Sequence, residues 1–209
     1  MSYATKASLP PLPSTPSTHI VAPATPDDLD AAAVLYQDFQ ATAPWRAIIP
    51  IEQAREILAA PLKAGLVWLC RLEPDGPATA FVILGRATPR TIAVRNVYVL
   101  PAHRRKGIAE TMVRAITRYY LGVPPYGVRG VPDGPPECGL KEEVSLNVGD
   151  ASAEGVYRRS GFLFPSGYGD DAEGGVDPVT GRRAWFLSIL REVKVMADVG
   201  LEEKGATSS

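Results

Sequence analysis

Residues 91–121, TIAVRNVYVLPAHRRKGIAETMVRAITRYYL, change their apolar period midway, and that change restricts what the chain can fold into. Up to Leu100 the segment is rich in β-branched and aromatic residues and reads as a strand. From Gly107 to about Leu121 the period becomes helical: Ala109, Val113, Ile116 and Tyr120 share one face, and Glu110, Arg114 and Arg118 the other. Between strand and helix stands His103-Arg-Arg-Lys-Gly107-Ile-Ala109, charge followed at once by small residues. Such a basic run can be a solvated helix start or a patch for nucleic acid. It can also be the opening of a helix that holds an anion, because the first turn of a helix carries unpaired N–H groups and a partial positive charge. Gly107 would let a phosphate approach the backbone, and Ala109 keeps the next position small. The net charge of −1 and the lack of aromatic interleaving speak against nucleic acid. With no GK[ST] sequence, a nucleoside triphosphate with magnesium fits poorly.

The flanking segments supply a mixed set of elements. His19–Ala22 reads as a short strand, and Thr25-Pro-Asp-Asp28 opens a helix to about residue 40. A second helix follows from Ile51 to about Leu62, after the link TAPWRAIIP. Strands are expected at 66–72, 78–86 and 91–100, then at 144–148 and from 161, with a last one at 183–190. Asp150 is placed to cap a short helix reaching about Ser160. Of the 20 prolines, six precede residue 27 and five lie between Gly122 and Gly139. We therefore expect residues 1–17 to form a disordered leader, 122–139 an exposed irregular insertion or flap, and 196–209 a flexible tail around one domain at 18–195. Two cysteines, Cys70 and Cys138, are too few for a disulfide framework and fit reduced thiols in a cytoplasmic protein. No apolar run approaches the roughly 20 residues of a membrane span, so no membrane and no nucleic-acid partner is expected.

Arg104-x-x-Gly107-x-Ala109 after Val99-Leu-Pro101 resembles the acetyl-CoA-binding motif of the GCN5-related N-acetyltransferases. HIVAPATPDDLDAA resembles that family's first strand and helix. VSLNV followed by DASAEGVYRRSGF resembles its later strand and tyrosine-bearing helix. The resemblance implies an α+β (α/β mixed) acyl-CoA N-acyltransferase fold: a mostly antiparallel, splayed six- to seven-stranded sheet flanked by helices. It implies pantetheine in the splay beside Val97, Tyr98 and Val99, and diphosphate on the turn of Arg104, Arg105, Lys106, Gly107, Ile108 and Ala109, with Asn147 nearby. The implied co-substrate is acetyl-CoA, with no metal.

Tyr157 sits with Ala153 and Val156 on one helical face. It can be ordinary core, or the general acid for a leaving thiolate, since a phenol stays protonated at neutral pH. Asn147 can equally be a polar core residue, and His19 has no evident partner. One departure stands out: where many family members carry a glutamate on the fourth strand, this chain has Arg95. A guanidinium buried there would need a partner, either Glu142 or Glu143 within the fold or an anionic group on the acceptor. Trp45, Tyr168 and the acidic 166–175 loop would suit a cationic amine. The expected activity is N-acetylation of a primary amine by direct transfer in a ternary complex, from a monomer or homodimer. The alternatives are a non-catalytic acyl-CoA sensor, or transfer to a hydroxyl, a protein lysine or an N-terminus.

Overall fold

In a computed structural model, residues 2–164 are described apart from residue 16, 43–47 and 149–150. Ten principal elements follow one another: β1 (Ser2–Ala4), β2 (Ile20–Pro23), α1 (Leu29–Ala41), α2 (Ile51–Lys63), β3 (Val67–Arg71), β4 (Ala78–Gly85), β5 (Thr91–Val99), α3 (Ile108–Tyr120), β6 (Glu143–Leu146) and α4 (Ala151–Arg159). The six strands form one sheet in the order β1-β6-β5-β4-β3-β2. Every pairing is antiparallel except β5 with β6. This is the mixed, open sheet that the resemblance implies. The strand expected at 183–190 lies outside the described residues.

Alternation along the strands makes two apolar faces. Trp68, Cys70, Val82, Leu84, Ile92 and Val94 pack against Met112, Val113 and Ile116 of α3. On the other face Leu69, Phe81, Ile83 and Tyr98 meet Ala32, Leu35, Ala54 and Leu58 of α1 and α2. The start of α1 is held by Asp28, which accepts from the Thr25 backbone N–H at 2.8 Å and pairs with Arg71 of β3. Those donors hold its carboxyl below the usual range despite partial burial.

The N-terminal segment differs from the expected disorder. Ser2, Tyr3 and Ala4 pair with Leu146, Ser145 and Val144, and Tyr3 also bridges Leu163. The chain then runs on beneath α3, where the Ser8 hydroxyl donates to the Gly161 carbonyl at 2.7 Å. The 122–139 segment is likewise docked rather than a flap. Val123, Tyr126, Val128 and Val131 pack on the α3-side core, and Val21 N–H donates to Arg129 O at 2.9 Å along the edge of β2. Both segments meet at Arg118, which the period places on the polar face of α3 but which is only 8% exposed. Its guanidinium donates to Pro125 O at 2.9 Å and to Pro10 O at 3.2 Å, so two irregular segments are fastened to one helix.

Gly161 shows how close this docking is. Its φ is +97°, and an added Cβ would lie 2.9 Å from Ser8 O and 3.1 Å from Leu9 Cα. Gly161→Ala should therefore destabilise by about 2 kcal/mol and lower Tm by roughly 4–8 °C. In a chain lacking residues 2–10 the same substitution should cost clearly less. Equal losses in both backgrounds, measured by thermal melts, would mean the N-terminal segment does not pack there.

Candidate active site

The site originates in a mismatch between neighbouring strands. β5 has nine residues, and the parallel ladder with β6 uses only its first part, Thr91↔Glu143 through Val94↔Leu146. Beyond Val94 the β6 side of β5 has no strand. Leu100 N–H donates to Thr79 O on the β4 side at 3.0 Å, so by alternation the N–H and C=O of Val97 and Val99 face the gap. Arg104 Nε donates to Val99 O at 3.0 Å, which leaves the Val97 groups and Val99 N–H open to a ligand.

β5 leads into α3 through a short 3-10 turn, Pro101–His103, and a loop whose backbone is unusual at two points. Arg105 has φ +64° and Gly107 φ +76°. The left-handed region disfavours side chains by about 1–2 kcal/mol in non-glycine residues, and Gly107 occupies it without that penalty. The position a Cβ would take on Gly107 meets nothing within 4 Å, so the space beside it is clear. The first bond into the helix is Thr111 N–H to Gly107 O at 3.0 Å. The N–H groups of Ile108, Ala109 and Glu110 therefore have no partner within the helix. His103, at the same turn, holds a buried Nδ1 that has no hydrogen-bond partner.

A cleft of about 450 Å³ joins gap and turn. Val97, Tyr98 and Val99 of β5, Arg104 and Ala109 form one wall; Ala153, Val156 and Tyr157 of α4 form another; Phe39 and Thr42 at the end of α1 close it. Tyr157 packs edge-on against Phe162, with ring centroids 5.9 Å apart. Burial pushes its phenol up to about 12, and its hydroxyl has no hydrogen-bond partner among the described residues. Glu110 accepts from Arg114 and from Arg159, both at 2.8 Å, tying α4 to the first turn of α3. That ion pair network, largely shielded on the Arg114 side, fixes the helix that carries Tyr157.

The expected site residues fall into three groups. Val97, Tyr98, Val99, Arg104, Ala109 and Tyr157 are brought together around the cleft. Ile108 contributes only backbone, since its side chain is buried in the α3-side core. Arg105 and Lys106 are exposed on the turn, and Asn147 is exposed after β6 and does not line the cleft. Arg104 lines the cleft while donating to Val99 O, and its guanidinium carbon lies 5.7 Å from the centre of the Tyr98 ring. The Tyr98 phenol is raised by burial and by the charge of Asp38. Trp45, Tyr168 and Asp150 lie outside the described residues. Thr42, the first residue of the TAPWRAIIP link, lines the cleft, and so does Phe39, which was not anticipated there. The 122–139 segment, expected as an exposed insertion or flap, packs on the α3 side of the sheet.

Arg95 also departs from expectation. It is exposed, and no ion pair to it forms among the described residues. Glu142 pairs with Arg90 at 2.6 Å instead. The register explains the exposure: Ile83 faces Asn96 while Leu84 faces Val94, so Arg95 is the extra residue of a β-bulge.

The comparisons agree with this geometry. The model of the acetyltransferase (GNAT) domain family matches residues 63–162, from the end of α2 through α4. A GCN5-related N-acetyltransferase from Sphaerobacter thermophilus is similar in fold, at 20% identity and a TM-score of 0.52. The match covers 77% of this chain and 46% of that one. A GNAT-family acetyltransferase from Bacillus anthracis matches at 13% identity and a TM-score of 0.51, over 74% of this chain and 84% of that one. No curated protein sequence matches significantly. Residues 63–162 therefore carry an acetyltransferase (GNAT) domain, the family whose co-substrate is acetyl-CoA.

The residues present fit that co-substrate. Open strand groups at Val97 and Val99 suit an extended amide-bearing chain, and the clear space at Gly107 before three free N–H groups suits a diphosphate. Among the described residues no group of His, Cys, Asp or Glu is arranged to hold a metal, and no helix is long and apolar enough to cross a membrane. Gly107→Glu should abolish acetyl-CoA binding by filling the clear space with a carboxylate. It should leave a cooperative melt, because nothing packs at that position. Calorimetry giving wild-type affinity in the folded variant would remove the phosphate role of this turn.

Proposed function

We propose that the protein transfers an acetyl group from acetyl-CoA directly to a primary amine, with both substrates bound together. The observation that supports this reading is that Tyr157 lines the same cleft as Val97 and Val99 of the open strand edge. The β5 backbone orients the acyl donor, and Phe39, Thr42 and Tyr98 shape the side from which the amine enters. As the C–S bond breaks and the N–C bond forms, Tyr157 gives its proton to the departing sulfur. The acceptor nitrogen loses one proton to solvent, and solvent reprotonates the phenolate, so the net products are an amide and a free thiol. A phenol at about 12 is fully protonated at neutral pH, as a general acid must be before reaction.

The test is thiol release from acetyl-CoA across a panel of amines, with Tyr157→Phe beside the wild type. The variant should keep acetyl-CoA affinity and lose roughly 10²-fold in kcat, within the usual range for one general acid. The sign of the pH effect follows from the raised phenol: its acid form persists through the alkaline range, so Tyr157 should contribute no fall in kcat below pH 10. An alkaline decline below pH 10 that disappears in Tyr157→Phe would contradict the assignment. Unchanged kcat, with chemistry shown to be rate-limiting, would return Tyr157 to a packing role.

A further inference from the structure

We propose that Arg95 binds a carboxylate on the acceptor, so that the amine substrate is one that also carries a carboxylate, as an amino acid does. This inference rests on the acetyl-transfer reading above and adds the class of acceptor. Three observations support it. Arg95 is the extra residue of the β5 bulge, and the bulge turns it out of the ordinary in-and-out alternation. Its side chain lies across Gly85 of β4: a Cβ on Gly85 would sit 2.4 Å from Arg95 Cδ and 3.6 Å from its Nε. A side chain at position 85 would displace the Arg95 side chain from this place against the sheet.

The second observation is the face it occupies. Phe81 and Ile83 of β4 point into the core under α1 and α2, as does Tyr98 of β5. Gly85, two residues beyond Ile83, belongs to that face, and so does the side chain lying on it. Tyr98 is also a wall of the cleft, beside Phe39. At about 3.3 Å per residue, Arg95 stands roughly 10 Å along β5 from Tyr98, within the span of one small acceptor.

The third observation is charge. Arg55, Arg71, Arg90, Arg114, Arg158 and Arg159 each pair with a carboxylate of the fold. No ion pair to Arg95 forms among the described residues, and none forms to Arg86, the exposed residue directly after Gly85. Two guanidinium-bearing residues therefore adjoin Gly85 with their charges uncompensated by a described carboxylate. The planar fork of a guanidinium is suited to bidentate binding of a carboxylate.

The experiment compares amino acids with their own amides and decarboxylated amines as acceptors, in wild type and in Arg95→Met. Methionine keeps length and apolar contact with Gly85 while deleting the charge. The wild type should prefer the acid of each pair. Arg95→Met should raise KM for the acids by roughly 10- to 100-fold, the usual loss for one charge-assisted contact. It should leave Tm, acetyl-CoA affinity and KM for the amides unchanged, and Arg95→Lys should restore part of the loss. Neutral amines turned over with no preference for the acids would overturn the carboxylate role and leave the acetyl-transfer reading standing. So would an equal rise in KM for acids and amides. Thiol release with no amine of any kind would overturn acetyl transfer itself, and this inference with it.

Discussion

The parallel ladder between β5 and β6 ends at Val94 and Leu146 while β5 continues for five more residues. Everything functional depends on that early stop. A sheet edge inside a folded domain must find partners for its backbone groups or leave them for a ligand. Here the β4 side of β5 stays paired through Val99, so the strand is rigid, while its other side opens onto a cleft. The turn that follows opens α3 with N–H groups that have no partner within the helix, and Ala109 of that turn lines the same cleft. A strand paired on one side only and a free helix start together offer unpaired backbone groups along one extended cleft.

Holding that gap open requires support behind it. α3 is packed on the sheet by Ile108, Met112, Val113 and Ile116. Arg118, at its far end, gathers the N-terminal segment and the 122–139 segment by hydrogen bonds to Pro10 and Pro125. β1 adds a strand beside β6, and Gly161 receives Ser8 where α4 ends. Glu110 joins α3 to α4 through Arg114 and Arg159. Thus the elements carrying the Gly107 turn and Tyr157 are braced by each other and by segments remote in sequence.

The parts legible in the sequence were those with local signals. β-branched runs marked β3, β4 and β5, the Thr25-Pro-Asp-Asp28 cap marked α1, and the period change at Gly107 marked α3 within a residue. The cleft residues of β5 and Tyr157 followed from the family motifs. What was illegible depends on pairing over distance. A three-residue strand such as Ser2–Ala4 has no period to read, and its partner lies about 140 residues away. Proline and glycine in 122–139 signal irregular backbone, which says nothing about whether Tyr126 and Val128 are docked. Arg118 looked solvated because its helix face is polar; the cover came from those same two segments. Arg95 was expected to need a partner within a strand between Val94 and Asn96, and the bulge that exposes it leaves no local mark in TIAVRNVYV.

The central claim is that the unpaired edge of β5 and the start of α3 form a single site for acetyl-CoA. Hydrogen exchange of the backbone amides, followed with and without acetyl-CoA, tests it residue by residue. The account predicts slowed exchange at Val97 and Val99 and at Gly107 through Glu110, with little change at Val67–Arg71 or Ile51–Lys63. Saturating acetyl-CoA that leaves the Val97, Val99 and 107–110 amides exchanging as before, while protecting another part of the chain, would contradict it.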